Sequence, residues 1–226
     1  MIKAVVFDLD NTLYAYEPCH LAGVEAMYGR LLEYARVSHE QFLACLDQAK
    51  MRTKNNNAGT AASHNRILYC QNICESLGLN PIEIPIILYN AYWSAFLDEM
   101  TLFENALEVL LELKKKRVKI GICTDLTTFI QLKKIRRLGL SSVVDAVVTS
   151  EECGEEKPSR KMFDMVLNKL NVLPQETVVV GDSLEKDILG AKNVGMKAIL
   201  WGSCVEREKY ALSFDELRGL LYAFVE

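Results

Sequence analysis

Five acidic residues, one threonine and one lysine stand where reactive groups are needed. Asp8-Leu9-Asp10-Asn11-Thr12 closes the first apolar run of the chain, and Thr124-Asp125 closes the second. Lys157-Pro158 follows the third after a short acidic loop, and Gly181-Asp182-Ser183 closes the fourth, with Asp187 just beyond. Gathered in one crevice, Asp8, Asp10 and Asp182 are like charges that repel. A divalent cation relieves that repulsion, and an all-oxygen donor set favours magnesium (Mg2+) over zinc. The cation and Lys157 then clamp a phosphoryl group, to which Thr124 adds a hydroxyl. One carboxylate can attack phosphorus while a second, two residues on, protonates the leaving oxygen. Residues i and i+2 of an extended segment share a face, so both acids of Asp-Leu-Asp can reach one substrate.

The elements that would position these groups are legible as five apolar runs, residues 2–7, 118–123, 143–148, 177–180 and 197–201, each short and ending in small or polar residues. Helical patterns at 104–116, 126–138, 161–170 and 185–194 alternate with the last four, and Ser213-Phe214-Asp215-Glu216 opens another helix with a capping box. Such alternation predicts an α/β fold with a doubly wound, Rossmann-like parallel sheet of five or more strands. In such sheets ligands bind beyond the carboxyl ends of the strands, where the reactive residues lie.

Residues 8–117 separate the first run from the second, far more than a crossover needs. They read as helices at 20–37, 38–51, 62–77 and 84–100, interrupted by a polar loop at 54–60. This predicts an α/β core of 1–14 and 100–226 with an all-helical cap of 15–99 inserted after the first strand. Ser63-His64-Asn65-Arg66 opens one cap helix, which makes His64, Asn65 and Arg66 candidate readers of an anion or substrate. His20 and His39 read as ordinary helix-start residues.

Composition narrows the classes. With 226 residues, half of them hydrophobic, the chain can bury an ample core. A net charge of -4 argues against nucleic-acid partners, which need a basic face. The basic clusters Lys114–Arg117 and Lys133-Lys134-Ile135-Arg136-Arg137 accordingly read as solvated helix faces. No apolar stretch is long enough to span a bilayer, and the N-terminal apolar run is too short for a signal peptide. The seven cysteines fit no zinc spacing and read as reduced core thiols of a cytoplasmic protein.

The four segments, in this order, resemble the motifs of the haloacid dehalogenase-like hydrolase superfamily, mainly its phosphatases. Asp8-Leu9-Asp10-Asn11-Thr12 is similar to the nucleophile motif, Thr124 and Lys157 match the second and third, and Gly181-Asp182-Ser183-Leu184-Glu185-Lys186-Asp187 resembles the magnesium motif. The resemblance implies that Asp8 is the nucleophile and a metal ligand, and that Asp10 is the general acid/base with its carbonyl on the metal. It implies that Asp182 completes the ligands, that Asp187 supports them directly or through water, and that Thr124 and Lys157 hold phosphoryl oxygens. The expected activity is hydrolysis of a small phosphate monoester by a monomer or homodimer. A sugar-phosphate mutase shares all four motifs and stays open; a haloacid dehalogenase has no use for Asp10 and the Asp182 site. A phospho-accepting signalling receiver places its acids differently and carries no such cap. One departure stands out: Asp125 replaces the asparagine of many relatives, and an acid beside a phosphoryl group must point away or meet a cation.

Overall fold

Ala4-Val5-Val6-Phe7 has no polar face to show to solvent, and it forms the central strand β1 (Ala4–Phe7), buried throughout. The remaining strands are β2 (Lys119–Thr124), β3 (Ala146–Thr149), β4 (Thr177–Gly181), β5 (Lys197–Trp201) and the two-residue edge strand β6 (Tyr210–Ala211). All pair in parallel, in the order β3-β2-β1-β4-β5-β6. The chain thus winds outward from β1 to β3 and returns to the other side of β1 at β4, which places the switch point of the sheet beside β1. Phe7 pairs with Ile122 on one side and Val180 on the other. The next backbone step continues that ladder, Asp8 N donating to the Val180 carbonyl at 2.9 Å.

The computed structural model describes residues 1–203, 205 and 208–225. Two units emerge: Met1–Ala15 with Thr101–Glu226, and Tyr16–Met100. The first holds the sheet and the helices α5 (Ala106–Lys115), α6 (Thr128–Arg137), α7 (Ser150–Cys153), α8 (Arg160–Leu170), α9 (Gly190–Asn193) and α10 (Phe214–Val225). The second holds α1 (Tyr16–Leu31), α2 (His39–Asn56), α3 (Arg66–Ser76) and α4 (Glu83–Glu99). Among the described residues no helix is long and apolar enough to cross a membrane.

Several boundaries differ from the sequence reading, each for a local reason. The first cap helix starts at Tyr16, because Pro18 falls within the first turn, where a missing N–H costs nothing. His20 is therefore inside a helix, half-buried, with Nδ1 2.7 Å from the Tyr92 hydroxyl. Lys54, Asn55 and Asn56 are helical rather than loop, and the turn begins where Asn57 Nδ2 donates to the Thr53 carbonyl at 2.9 Å. β3 starts at Ala146 because the Asp145 carboxylate, not a strand residue, accepts the Ile120 N–H at 2.7 Å. The expected helix at 185–194 divides into a π-helical stretch, Leu184–Leu189, and α9. Five cysteines are free and buried, but Cys45 is free and partly exposed rather than a core thiol. Cys204 lies outside the described residues.

Candidate active site

Asp8 leaves β1 at its carboxyl end, only 6% exposed. Lys157 Nζ donates to Asp8 Oδ1 at 2.6 Å and to Asp187 Oδ1 at 2.6 Å, and Thr12 Oγ1 donates to Asp8 Oδ2 at 3.1 Å. The chain turns away at Asn11, whose φ of 64° is a left-handed conformation that asparagine tolerates. Across the switch point, Gly181 ends β4 and lets Asp187 approach: a Cβ on Gly181 would lie 2.4 Å from Asp187 Cγ. The Ser183 N–H holds Asp187 Oδ2 from the other side at 3.1 Å.

Carboxylate oxygens of Asp8, Asp182 and Asp187 lie within 4.8 Å of one another. Burial, and then the neighbouring acids Asp187 and Asp10, push the Asp8 carboxyl up to about 8 against the pull of Lys157. Burial and Asp187 likewise raise Asp182. For Lys157, burial works against the charge, but Asp187, Asp8 and Asp125 outweigh it and hold the ammonium well above its ordinary range. One buried ammonium among these acids leaves negative charge uncompensated. The donor set, all carboxylate oxygen, fits a hard divalent cation. An oxygen of Asp187 is one of these three.

Asp10, two residues on, has a different environment. Both of its oxygens accept from Lys134 Nζ, at 2.8 and 2.9 Å, and the Tyr14 hydroxyl also donates to Oδ1. Lys134 is fully buried, so the basic run 133–137 is not simply a solvated face. Ile130, Gln131, Lys134 and Ile135 form the buried side of α6, with Lys133, Arg136 and Arg137 outside. Gln131 Nε2 bridges Thr124 Oγ1 and the Asp125 carbonyl, both at 2.7 Å, while its own Oε1 is buried without a partner. Lys134, Gln131 and Tyr14 escaped the sequence reading. The available signal was the helical spacing that puts Gln131 and Lys134 beside Ile130 and Ile135.

Asp125 meets cations, as its position requires. Its Oδ2 accepts from Lys186 Nζ at 2.8 Å and its Oδ1 from the Lys157 backbone N–H at 3.0 Å. Thr124 is buried beside it. His64, Asn65 and Arg66 belong to the helical unit. There Asn65 has a structural task, its Oδ1 accepting the Ile67 N–H as the N-cap of α3. Arg66 is buried and starts that helix, and His64 lends it a carbonyl at 2.5 Å.

Known proteins resemble this chain over most of its length. It is 45% identical over 210 residues to the ribulose-1,5-bisphosphate 5-phosphatase of Halopiger xanaduensis, covering 92% of this chain and 88% of that one. It is 32% identical over 203 residues to the glyceraldehyde 3-phosphate phosphatase of Methanothermobacter thermautotrophicus, covering 90% and 87%. Among solved structures, the 2-haloacid dehalogenase of Pseudomonas syringae pv. Tomato superposes with a TM-score of 0.82 at 23% identity, over 99% of this chain and all of that one, a likeness of fold. The profile of the haloacid dehalogenase-like hydrolases matches residues 2–195. With sheet order, motifs and phosphatase relatives in agreement, the chain belongs to the haloacid dehalogenase-like hydrolases and is a phosphatase among them.

Proposed function

We propose that this phosphatase is a magnesium-dependent phosphomonoesterase of small phosphorylated sugars, working through an aspartyl-phosphate on Asp8. The observation that carries the reading is the contrast between two acids two residues apart. Asp8 is buried against Lys157 and the acids Asp182 and Asp187, whereas Asp10 is held by Lys134 and Tyr14. A cation among Asp8, Asp182 and Asp187 would offset the charge that raises the Asp8 carboxyl and return it to the carboxylate, the form a nucleophile needs.

Asp8 attacks the phosphorus of the bound ester; the new O–P bond forms as the bond to the sugar oxygen breaks, and Asp10 gives that oxygen its proton. Asp10, now a carboxylate, takes a proton from water as the water oxygen attacks the phosphoryl-Asp8, which releases inorganic phosphate and restores both acids. Lys157 and Thr124 bind phosphoryl oxygens, and Gln131 orients Thr124. Asp8, Asp182, Asp187 and the Asp10 carbonyl would hold magnesium, which supplies positive charge where phosphoryl charge accumulates. The sugar preference follows the named substrates of the relatives. Free thiols support placement in the reducing cytoplasm.

Asp8→Asn should abolish turnover of an aryl phosphate, and Asp10→Asn should slow alkyl phosphates far more than aryl ones. Full activity in Asp8→Asn, or turnover indifferent to a chelator, would overturn the reading.

A further inference from the structure

Arg66 is 8% exposed, and burying a guanidinium without a carboxylate is costly. Its partners are neutral: Nη1 donates to the His64 carbonyl at 2.5 Å, Nη2 to the Tyr16 hydroxyl, and the Tyr92 hydroxyl accepts a further hydrogen bond from the guanidinium. The faces of Tyr69, Tyr92 and Trp93 surround it, with centroids 5.4, 5.6 and 5.7 Å from Cζ. Its Nε is buried with no hydrogen-bond partner.

Arg66 lines a cavity of about 320 Å³ that lies wholly within the helical unit, together with Tyr16, His20, Lys50, Lys54 and His64. None of the residues lining it is acidic. Lys50 reaches Asp47 at 3.4 Å, an exposed pair of the kind that binds weakly. The positive field is felt by His20, which burial and then Arg66 and Lys50 hold near pKa 4. The start of α3 adds the partial positive charge of a helix N-terminus.

A cavity with a buried, incompletely bonded guanidinium, two flexible ammonium groups and no acid lacks an anion. We infer that the helical unit carries a binding site of its own for a phosphate group. Arg66 is the fixed element, because its planar donors suit a phosphate and aromatic rings hold it in place. Lys50 and Lys54 are the mobile ones. The phosphate has two possible sources: a second phosphate on the sugar substrate, or free phosphate acting from the helical unit. In the first case the inference rests on the phosphomonoesterase reading and narrows its substrates to bisphosphates.

The test uses the full chain with magnesium. Inorganic phosphate is titrated by calorimetry into the wild type, Lys50→Ala/Lys54→Ala and Arg66→Gln, and kcat/KM is measured for a sugar bisphosphate and the matching monophosphate. The expected wild-type result is two phosphates per chain, with one lost or weakened roughly tenfold per removed cation. If the bisphosphate-to-monophosphate ratio falls with it, the substrate supplies the group. If phosphate binding weakens while the ratio holds, free phosphate supplies it; either result supports the site. A single phosphate per chain, unaffected in the lysine variant as well as in Arg66→Gln, overturns it. The lysine variant guards against an Arg66 variant that does not fold. Turnover of an aryl phosphate, run alongside, tells failure of this site from failure of the phosphomonoesterase reading.

Discussion

Lys134 Nζ lies 2.8 Å from one carboxylate oxygen of Asp10 and 2.9 Å from the other, joining positions 124 residues apart. Both oxygens are thereby fixed, and the Tyr14 hydroxyl fixes one of them again. A carboxyl that must hand a proton to one oxygen and take one from another gains from such restraint. Lys134→Met should lower kcat by about 10- to 100-fold, as losses of supporting partners do, with little change in KM. The loss should be larger for alkyl than for aryl leaving groups. A uniform loss across leaving groups would leave Lys134 a purely structural residue.

Gly181→Ala puts a methyl where Asp187 stands, since the added Cβ would meet Asp187 Cγ at 2.4 Å. Asp187 must retreat, taking with it one oxygen of the acidic group and one partner of Lys157. Magnesium activation curves should shift to at least about tenfold higher concentration. A curve superimposable on the wild type would show that Asp187 does not act on the cation.

Asp125→Asn tests the unusual acid. Asparagine keeps an acceptor for the Lys157 N–H but removes the nearer of two charge partners of Lys186, leaving Glu156 at 3.9 Å. Because Lys186 is 39% exposed, the pair contributes about 1 kcal/mol or less. Denaturant midpoints should therefore drop only slightly, and turnover should stay within a few-fold. A collapse of either would show that Asp125 does more than neutralise Lys186.

His20 gives a pH signature. Its folded pKa of about 4 lies below the ordinary 6.5, chiefly through burial and then through Arg66 and Lys50. Between those values the unfolded chain binds the proton that the folded chain refuses. Stability from this group is present above pH 6.5 and is lost as pH falls toward 4. In phosphate-free buffer, the fall in denaturant midpoint from pH 7 to pH 5 should be smaller in His20→Gln than in the wild type. Equal falls would contradict the assignment.

The sheet was legible because each of its main strands is an apolar run that ends in a marked residue. β6 was not, since two residues carry no pattern. The acids at the ends of β1 and β4 announce themselves by alternation and by the glycine that precedes Asp182. Lys134 and Gln131 do not: both sit in a run of basic and polar residues, and only the rotation of α6 decides which of them turn inward. Lys186 was equally hidden, because its reach to Asp125 depends on the π-helical stretch between β4 and α9. The cap helices read as helices in the sequence, but their ends differ in the structure: the first begins at Tyr16 and α2 runs on to Asn56. Helix ends are set by caps and single bonds, here Asn57 to Thr53, which hydrophobic periodicity does not register.

The insertion leaves the core through a narrow neck. Phe103 N donates to the Leu13 carbonyl at 3.0 Å, and Tyr14 bridges to Leu102, so the outgoing and returning strands of the neck are already stitched together. Chain ends held that close can be joined by a tight turn without stretching anything behind them. The catalytic sheet is therefore indifferent to what is mounted between residues 16 and 100. A chain carrying a short turn in place of residues 16–100 would still close at this neck.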